Sequence, residues 1–128
     1  MTTHLPHIYV LDDDPGFLKA TARLLASAGY DVTQARSVAE LERLMPLRPD
    51  ACLLVDIVLQ GESGFMVPTM LCAAGQQRPI VFISATDDSS SLKRAEDLGV
   101  CACLRKPVEA KDLFTALQHA ADSQTLRM

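Results

Sequence analysis

The fold is decided by the stretch ACLLVD at residues 51–56, a run of five apolar residues that ends on a carboxylate. A continuous apolar run of this length is expected of a central parallel strand that is covered by helices on both faces. A second run of the same kind, IVFI at residues 80–83, is followed by Ser84. Two buried strands of this type favour a parallel sheet.

The rest of the chain alternates short extended segments with segments of helical period. Asp14 before Pro15 is a favourable helix start, and Gly29 follows the first helix as a stop signal. This alternation predicts βαβ units with helices on both faces of a parallel sheet. We therefore expect an α/β fold in a single domain over residues 1–128, with its core at about 7–121. The predicted strands are 7–11, 31–35, 51–55, 80–83 and 102–105, and the predicted helices are 15–28, 38–45, 66–74, 89–98 and 109–121.

Two of the helices carry expectations about single residues. In the third helix, Pro68 falls inside the helical segment, so the regular part of that helix is expected to begin near Val67. In the second helix, the apolar spacing predicts a core-facing side. The residues expected on that side are Val38, Leu41, Leu44 and Met45.

The composition excludes several classes of protein. Hydrophobic residues make up 48% of the chain and charged residues 22%, a balance typical of a folded soluble domain. The net charge of −4 argues against direct binding of nucleic acid. The longest apolar runs are too short to span a bilayer and no signal-peptide pattern begins the chain, so we expect a cytoplasmic protein without membrane contact. The cysteines at 52, 72, 101 and 103 are expected to be reduced thiols, because zinc-like ligand spacing is missing.

Chemically useful side chains follow four of the five predicted strands. In open parallel sheets, ligand sites form outside the carboxyl ends of the strands. Those ends carry Asp12 and Asp13 after the first strand, Asp56 after the third, Ser84 after the fourth and Lys106 after the fifth. Taken singly, each of these residues could be a solvated turn, a strand-end cap or a surface lysine. Their joint occurrence at one edge of one sheet favours a functional site.

Three carboxylates in one crevice favour a bound cation. They repel each other and raise at least one pKa unless positive charge neutralises them. Only oxygen ligands are offered, so Mg²⁺ is the natural occupant. Asp13 and Asp56 are expected to be direct ligands, Asp12 acts directly or through water, and the backbone carbonyl of Val58 is a further candidate oxygen.

The same residues suit phosphoryl transfer. One of the bound carboxylates could attack phosphorus as a nucleophile and form an acyl phosphate. Such a reaction needs positioning and charge stabilisation more than proton transfer. Lys106 would contact one phosphoryl oxygen, the Ser84 hydroxyl would donate to another, and Mg²⁺ would take the third.

These motifs resemble those of the receiver domains of two-component response regulators, including the chemotaxis regulators. The resemblance covers roughly residues 7–121 and is carried by VLDDDP at 10–15, LVD at 54–56 with Gly64 eight residues on, FISA at 82–85 and RKP at 105–107. It implies that Asp56 accepts a phosphoryl group from a histidine kinase. It also implies that Asp12 and Asp13 hold Mg²⁺, that Ser84 senses the phosphoryl group and that Lys106 contacts it.

The resemblance also implies a fold, partners and a mode of action. The family fold is a flavodoxin-like, doubly wound, five-stranded sheet in the order 2-1-3-4-5, with a cis peptide bond before the proline that corresponds to Pro107. The protein would be a signalling switch that catalyses only its own phosphorylation and dephosphorylation. Its partners would be a histidine kinase and a downstream protein or output domain. A phosphorylation-dependent homodimer is a further expectation, with the changed surface formed by residues 89–98 and 102–121.

The chain departs from the family pattern at several positions near the site. Gln60 stands where many members have proline, which predicts a less rigid loop. Cys103 occupies the position of the usual aromatic switch residue, and Val108 replaces a common phenylalanine. Val58 and Thr86 would lie near the path of hydrolytic water, and Val58 has no polar group to orient it. We therefore expect slow loss of the phosphoryl group.

Two other functions remain open from the sequence. A pseudo-receiver would bind proteins without being phosphorylated, and its support is the missing aromatic at Cys103. A haloacid-dehalogenase-like phosphatase would also form an aspartyl phosphate, with Asp12 as its nucleophile and the spacing of Asp12 and Asp14 as its motif. Turnover that survives Asp56→Ala but is lost in Asp12→Ala would favour the phosphatase.

Overall fold

The computed structural model describes residues 5–85, 89–98 and 102–126. Along the chain, the strands are β1 (His7–Leu11), β2 (Asp31–Ala35), β3 (Cys52–Asp56), β4 (Val58–Leu59), β5 (Glu62–Ser63), β6 (Ile80–Ser84) and β7 (Ala102–Arg105). The helices are α1 (Pro15–Ser27), α2 (Val38–Arg43), α3 (Met66–Ala73), α4 (Ser89–Asp97) and α5 (Ala110–Leu126). The architecture is therefore α/β, as the sequence predicts.

Five of the strands form one parallel sheet. Their order is β2-β1-β3-β6-β7, and every neighbouring pair is parallel. Counting only these five strands, the order is the 2-1-3-4-5 of the flavodoxin-like fold, so the predicted topology is confirmed. The predicted strand bounds agree with the structure to within one residue. The expectation of one domain over residues 1–128 stays a prediction.

The sheet separates two hydrophobic clusters, one on each face. The central strands β3 and β6 are buried at every position, as their unbroken apolar runs predict. Alternate residues of β3 point to opposite faces. Leu53 and Val55 join the cluster under α2 and α3, and Leu54 joins the cluster under α1 and α5. Full burial of each such side chain stabilises the fold by about 1.5–3 kcal/mol.

Helix α1 begins and ends as its flanking residues predict. The carboxylate of Asp14 accepts a hydrogen bond from the backbone N–H of Gly16, and Pro15 takes the first helical position, where its missing N–H has no cost. After the helix, Gly29 adopts a φ of 96°, a left-handed conformation that glycine accepts without strain. The start of α1 lies directly beside the end of β1, and this fixes the position of the acidic residues between them.

Several expectations about helices need correction. Leu44 does not face the core: α2 ends at Arg43, and Leu44 is the C-cap with 37% of its surface exposed. Helix α3 begins at Met66, and Pro68 is its third residue, in the first turn, where an N–H has no acceptor within the helix. Helix α5 extends to Leu126, five residues past its predicted end. Helix α4 ends at Asp97, one residue before its predicted end at position 98.

A short hairpin between β3 and α3 is absent from the sequence-based prediction. Strands β4 and β5 pair antiparallel, and the turn between them has Gly61 at a φ of 76°. A strand of two residues is too short to show a hydrophobic period, so the sequence pattern does not predict these strands. The loop that carries Gln60 is thus part of a hydrogen-bonded hairpin, and its expected lower rigidity stays a prediction. Among the described residues no helix has the length and apolarity needed to cross a membrane.

Candidate functional site

All five residues that the sequence places at the carboxyl edge of the sheet lie there, and the side chains of Asp12, Asp13, Asp56 and Lys106 are in one cluster. Asp12 follows β1, Asp56 and Ser84 are the last residues of β3 and β6, and Lys106 follows β7. Three of them are buried, with only 1% of Asp12, 5% of Asp56 and 3% of Ser84 exposed. Asp13 is half-buried at the mouth of the site. Buried polar side chains of this kind are uncommon unless they serve a site or are fully paired.

Asp12, Asp13 and Asp56 form a compact acidic cluster. Each offers a carboxylate oxygen, and these oxygens all lie within 4.8 Å of one another. Hard oxygen donors at this separation suit Mg²⁺, which takes a few carboxylates and keeps several waters. The residues present therefore fit the cation that the sequence predicts. The assignment of Asp12 and Asp13 as metal ligands stays a prediction.

Lys106 links two of the three carboxylates. Its ammonium nitrogen Nζ lies 3.0 Å from Oδ2 of Asp12 and 3.1 Å from Oδ2 of Asp56. The same nitrogen sits 4.3 Å from the centre of the Phe17 ring, a cation–π contact from α1. The backbone N–H of Lys106 donates to the carbonyl of Ser84, which fixes the two strand ends to each other. The Lys106–Pro107 peptide bond is cis, as the resemblance implies.

The charges of the site shift the pKa of two groups. Burial raises the pKa of the Asp56 carboxyl, the charge of Asp12 adds to this, and hydrogen bonds from Val58 and Lys106 oppose it. Burial acts to lower the pKa of the Lys106 ammonium, but hydrogen bonds and charges from Asp12 and Asp56 outweigh it, so that pKa is raised. Lys106 is thus a firmly charged cation beside an aspartate whose ionisation depends on its neighbours.

Backbone N–H groups orient each carboxylate of the cluster. The N–H of Asp14 donates to Oδ1 of Asp12 at 2.9 Å. The N–H of Val58 donates to Oδ1 of Asp56 at 3.0 Å, and that of Gln60 donates to Oδ2 of Asp13 at 2.7 Å. Hydrogen bonds to charged acceptors are stronger than neutral ones. The cluster is therefore held by the main chain as well as by Lys106.

Gly64 allows the loop to pass closely over Asp56. A Cβ atom at position 64 would clash with the carbonyl oxygen of Asp56 and lie 3.0 Å from both its carbonyl carbon and Cγ1 of Val55. The backbone N–H of Gly64 also donates to the carbonyl of Ile57 at 2.7 Å. Here glycine is required by close approach of two backbone segments, which explains its place eight residues after Asp56.

Two surfaces adjoin the site. The side chain of Val58 is 63% exposed, so the side of the site beside β4 is open. On the other side, an open groove of about 540 Å³ next to Lys106 is lined largely by apolar residues of α1 and by the segment after β7. A metal contact from the Val58 carbonyl stays a prediction, and Thr86 lies outside the described residues.

The position of the expected aromatic switch is occupied by a small thiol. Cys103 pairs with Phe82 across β6 and β7, is half-buried and packs against the core cluster of that face. Burial raises the pKa of this thiol, which favours its protonated form. The aromatic contacts nearby involve other residues. Phe65 packs edge-on against Phe82 with ring centres 5.1 Å apart, and Arg94 of α4 lies over the Phe65 ring at 4.6 Å.

Some contributors to the site are not predicted by the sequence. Phe17 is the third residue of α1 and lies in its first turn, where its spacing marks it as an ordinary core residue. The N–H of Gln60 belongs to the main chain, so no residue type signals it. The turn glycine at position 61 is the available signal, since glycine there is typical of a tight hairpin turn.

Comparison with known proteins agrees with the geometry. The family described as response regulator receiver domain matches residues 8–118. The response regulator protein TmoT of Ectopseudomonas mendocina is 31% identical over 113 residues, which are 88% of this chain and 51% of TmoT. The transcriptional regulatory protein GlrR of Escherichia coli K12 is 28% identical over 121 residues, which are 94% of this chain and 27% of GlrR.

A solved structure shows the same fold. The response regulator receiver domain protein of Clostridium thermocellum superimposes with a TM-score of 0.87 at 25% identity, covering 97% of this chain and all of that one. The chain thus spans about half the length of TmoT and about a quarter of GlrR, but the whole of a solved receiver domain.

Proposed function

The chain belongs to the response regulator receiver domain family, and on that premise we propose that it is a phospho-accepting switch with Asp56 as the acceptor. The observation that carries the proposal is the placement of one carboxylate. Asp56 ends the central strand, contacts Lys106 at 3.1 Å and lies within 4.8 Å of the carboxylate oxygens of Asp12 and Asp13. A carboxylate that could act as a nucleophile, a fixed cation and an acidic pair that could hold a metal therefore lie close together.

Asp56 has the chemistry of a nucleophile. An oxygen of its ionised carboxylate would bond to phosphorus while the bond from phosphorus to the nitrogen of a phosphohistidine breaks, and the bonding electrons return to that histidine. Burial raises the pKa of the Asp56 carboxyl overall, while the hydrogen bonds from the Val58 N–H and Lys106 favour its ionised form. Lys106 would turn from Oδ2 of Asp56 to a phosphoryl oxygen as negative charge moves onto that group. The product is an aspartyl phosphate.

The remaining residues complete the charge balance. Mg²⁺ held by Asp12, Asp13 and Asp56, with the Val58 carbonyl as a further oxygen, would supply positive charge beside the transferred group. The Ser84 hydroxyl, at the end of β6, would donate a hydrogen bond to one phosphoryl oxygen. Phe17 and Asp12 keep Lys106 at the edge of the pocket, where it can reach the phosphoryl group without leaving the site.

The proposed partners follow from this role. A histidine kinase would supply the phosphoryl group, and a downstream protein or an output domain would read the change. The relatives TmoT and GlrR are longer than this chain and are named as regulators, which supports such an arrangement. We propose a cytoplasmic switch that acts only on its own phosphorylation state, without direct contact to nucleic acid or membrane. A phosphorylation-dependent homodimer is part of the same proposal.

The step that would pass the phosphorylation signal from Asp56 to a partner differs from one based on an aromatic switch residue. Phosphorylation adds roughly 1.5–2 negative charges at the end of β3. Cys103 has no ring to turn inward, so the signal would pass through other contacts of α4 and β7. Arg94, which joins α4 to Phe65 beside the site, is one such contact.

The phosphatase alternative differs from the proposal in its nucleophile, which would be Asp12. Asp12 and Asp56 are held alike, because each is buried and accepts one hydrogen bond from a backbone N–H and one from Lys106. Turnover that survives Asp56→Ala but is lost in Asp12→Ala would favour the phosphatase. A pseudo-receiver would keep the fold but fail to react with a phosphodonor, so one reaction separates it from the proposed function.

The proposal is tested by intact-mass measurement after incubation with Mg²⁺ and a small phosphodonor such as phosphoramidate. Wild type is expected to gain the mass of one phosphoryl group, and Asp56→Asn is expected to gain none. The control is Asp14→Asn, which changes an exposed acid of the same segment and keeps an oxygen for the helix cap. Absence of label on wild type, or label on Asp56→Asn equal to that on wild type, would contradict the proposal.

A further inference from the structure

The hairpin of β4 and β5 presents two N–H groups to the acidic cluster. Val58 donates to Asp56 and Gln60 donates to Asp13, at 3.0 and 2.7 Å. Val58 begins β4 and Gln60 follows this strand in the turn. The β4 side of the hairpin and its turn therefore face the carboxylates that would hold the cation.

The other strand of the hairpin is anchored to α2. Oε1 of Glu62 accepts a hydrogen bond of 2.9 Å from the N–H of Val38, the first residue of that helix. The first N–H groups of a helix have no acceptor within the helix, so an outside carboxylate is a favourable partner. Gln60 and Glu62 flank Gly61, so the turn is fixed on both sides: to Asp13 by one bond and to α2 by the other.

Among the described residues, the N–H of Gln60 is the hydrogen-bond donor to the Asp13 side chain. Asp12 and Asp56 are buried and share Lys106, whereas Asp13 is half-buried at the mouth of the site. A carboxylate in that position can rotate into solvent. At 2.7 Å the N–H of Gln60 makes a short charge-assisted hydrogen bond, which keeps one oxygen of Asp13 in place and leaves the other for a cation.

We infer that Gln60 is a positioning residue for Asp13: its backbone N–H, held in place by Glu62, orients this carboxylate toward the bound cation. The inference rests on the proposed metal-dependent phosphorylation and names a part of the site that the sequence motifs do not include. Partners that orient metal ligands typically contribute 10–100-fold to metal affinity. Gln60, at a position where proline would have no N–H, supplies this hydrogen-bond donor.

The conformation of the turn allows the N–H of Gln60 to be removed by substitution with proline. All described residues other than glycine have negative φ, so Gln60 does too, and Gly61 follows with a φ of 76°. A negative φ followed by a positive one is the pattern of a type II turn, which accepts proline at its first central position. Leu59, in strand β4, has the extended backbone that a residue before proline prefers. Gln60→Pro is therefore expected to fold while losing the N–H.

The deciding experiment is a Mg²⁺ titration of the full chain, without phosphodonor, followed by calorimetry. Gln60→Ala keeps the N–H and is the reference for Gln60→Pro. We expect Gln60→Pro to bind Mg²⁺ about 10-fold more weakly than Gln60→Ala. Equal affinities for the two variants would overturn the inference while leaving the proposed function intact. Failure of wild type to bind Mg²⁺ would overturn the proposed function itself, and the inference with it.

A second pair of variants tests whether the hydrogen bond between Glu62 and Val38 holds the turn in place. Glu62→Gln keeps an oxygen that can accept from Val38, and Glu62→Ala removes it. In metal-free protein we expect the amide of Gln60 to be protected from hydrogen exchange in wild type and in Glu62→Gln, and to lose protection in Glu62→Ala. Urea unfolding establishes that each variant is folded. An unprotected Gln60 amide in wild type, or the same protection in both Glu62 variants, would contradict the inference.

Discussion

The ammonium nitrogen of Lys106 lies 3.1 Å from Oδ2 of Asp56, although 50 residues separate the two in the chain. The contact exists because β3 and β7 flank β6 in the parallel sheet, so that their carboxyl ends share one edge. Lys106 is held there by Asp12 and the ring of Phe17 as well. A cation fixed by three contacts needs little reorganisation when negative charge develops beside it, and such preorganisation is what stabilises a transition state.

Replacement of Lys106 by methionine is therefore expected to slow phosphorylation of Asp56. Removing one preorganised donor to a developing charge typically costs about 10²-fold in rate. The measurement is the initial rate of labelling by phosphoramidate at saturating Mg²⁺. Lys111→Met changes an exposed lysine of α5 and is the matched control. Equal rates for the two variants would show that Lys106 does not assist phosphorylation and contributes only to the stability of the fold.

Substitution of Gly64 by alanine is expected to destabilise the fold by about 1–3 kcal/mol, the usual cost of forcing an added group into a packed position. The reason is the clash between the new Cβ and the carbonyl oxygen of Asp56. The measurement is the free energy of unfolding in urea. Gly16→Ala is the control, because its Cβ would meet nothing closer than Oδ1 of Asp14 at 3.4 Å. Equal stability of Gly64→Ala and wild type would contradict the close approach of these two segments.

Ligand sites form outside the carboxyl ends of parallel strands, so the site could be predicted from the sequence, whereas the hairpin could not. Asp12, Asp56 and Ser84 stand directly after apolar runs, Lys106 follows the predicted strand 102–105, and parallel strands bring such positions to one edge. The β4–β5 hairpin depends instead on main-chain hydrogen bonds between two-residue strands. Its donor to Asp13 is the N–H of Gln60, which nearly any residue could supply. Side-chain type therefore carries no information about that contact.

The helix ends, too, could be predicted only where a residue type signals them. Pro15 and Gly29 mark the two ends of α1, because each has a backbone property that the helix end requires. Leu44 was expected to be inside on apolar spacing alone, but the helix that would continue the spacing stops at Arg43. Hydrophobic period predicts which face is buried only as far as the helix runs.

His7 is expected to make stability depend on pH. Burial, together with the positive charge of Arg48, lowers the pKa of His7 below its ordinary value of 6.5. The unfolded chain therefore binds a proton more readily than the folded one. The contribution of His7 is fully present above pH 6.5 and is lost as the pH falls through the lowered pKa of the folded state.

The test compares the free energy of unfolding between pH 7 and 5 in wild type and His7→Gln. We expect a smaller loss of stability on acidification in the variant, because Gln does not titrate. His119→Gln, at an exposed position of α5, is the control. Identical slopes for wild type and His7→Gln would contradict the prediction.

Loss of the phosphoryl group is expected to be slow. The side chain of Val58, next to Asp56, is 63% exposed but has no polar atom with which to orient an attacking water. The measurement is the decay of the phosphorylated mass after removal of the phosphodonor, with Mg²⁺ present. We expect a half-life of many minutes or longer. A half-life of seconds would mean that another group positions the water.

The central claim is that Asp56, and no other carboxylate of the cluster, becomes phosphorylated. Borohydride reduces an aspartyl phosphate to homoserine, which peptide mass spectrometry can place at a single residue. After treatment with phosphoramidate and Mg²⁺, homoserine is expected at position 56 and nowhere else, and it is expected to disappear when Mg²⁺ is chelated. Homoserine at position 12 or 13, or none at any position, would contradict the account.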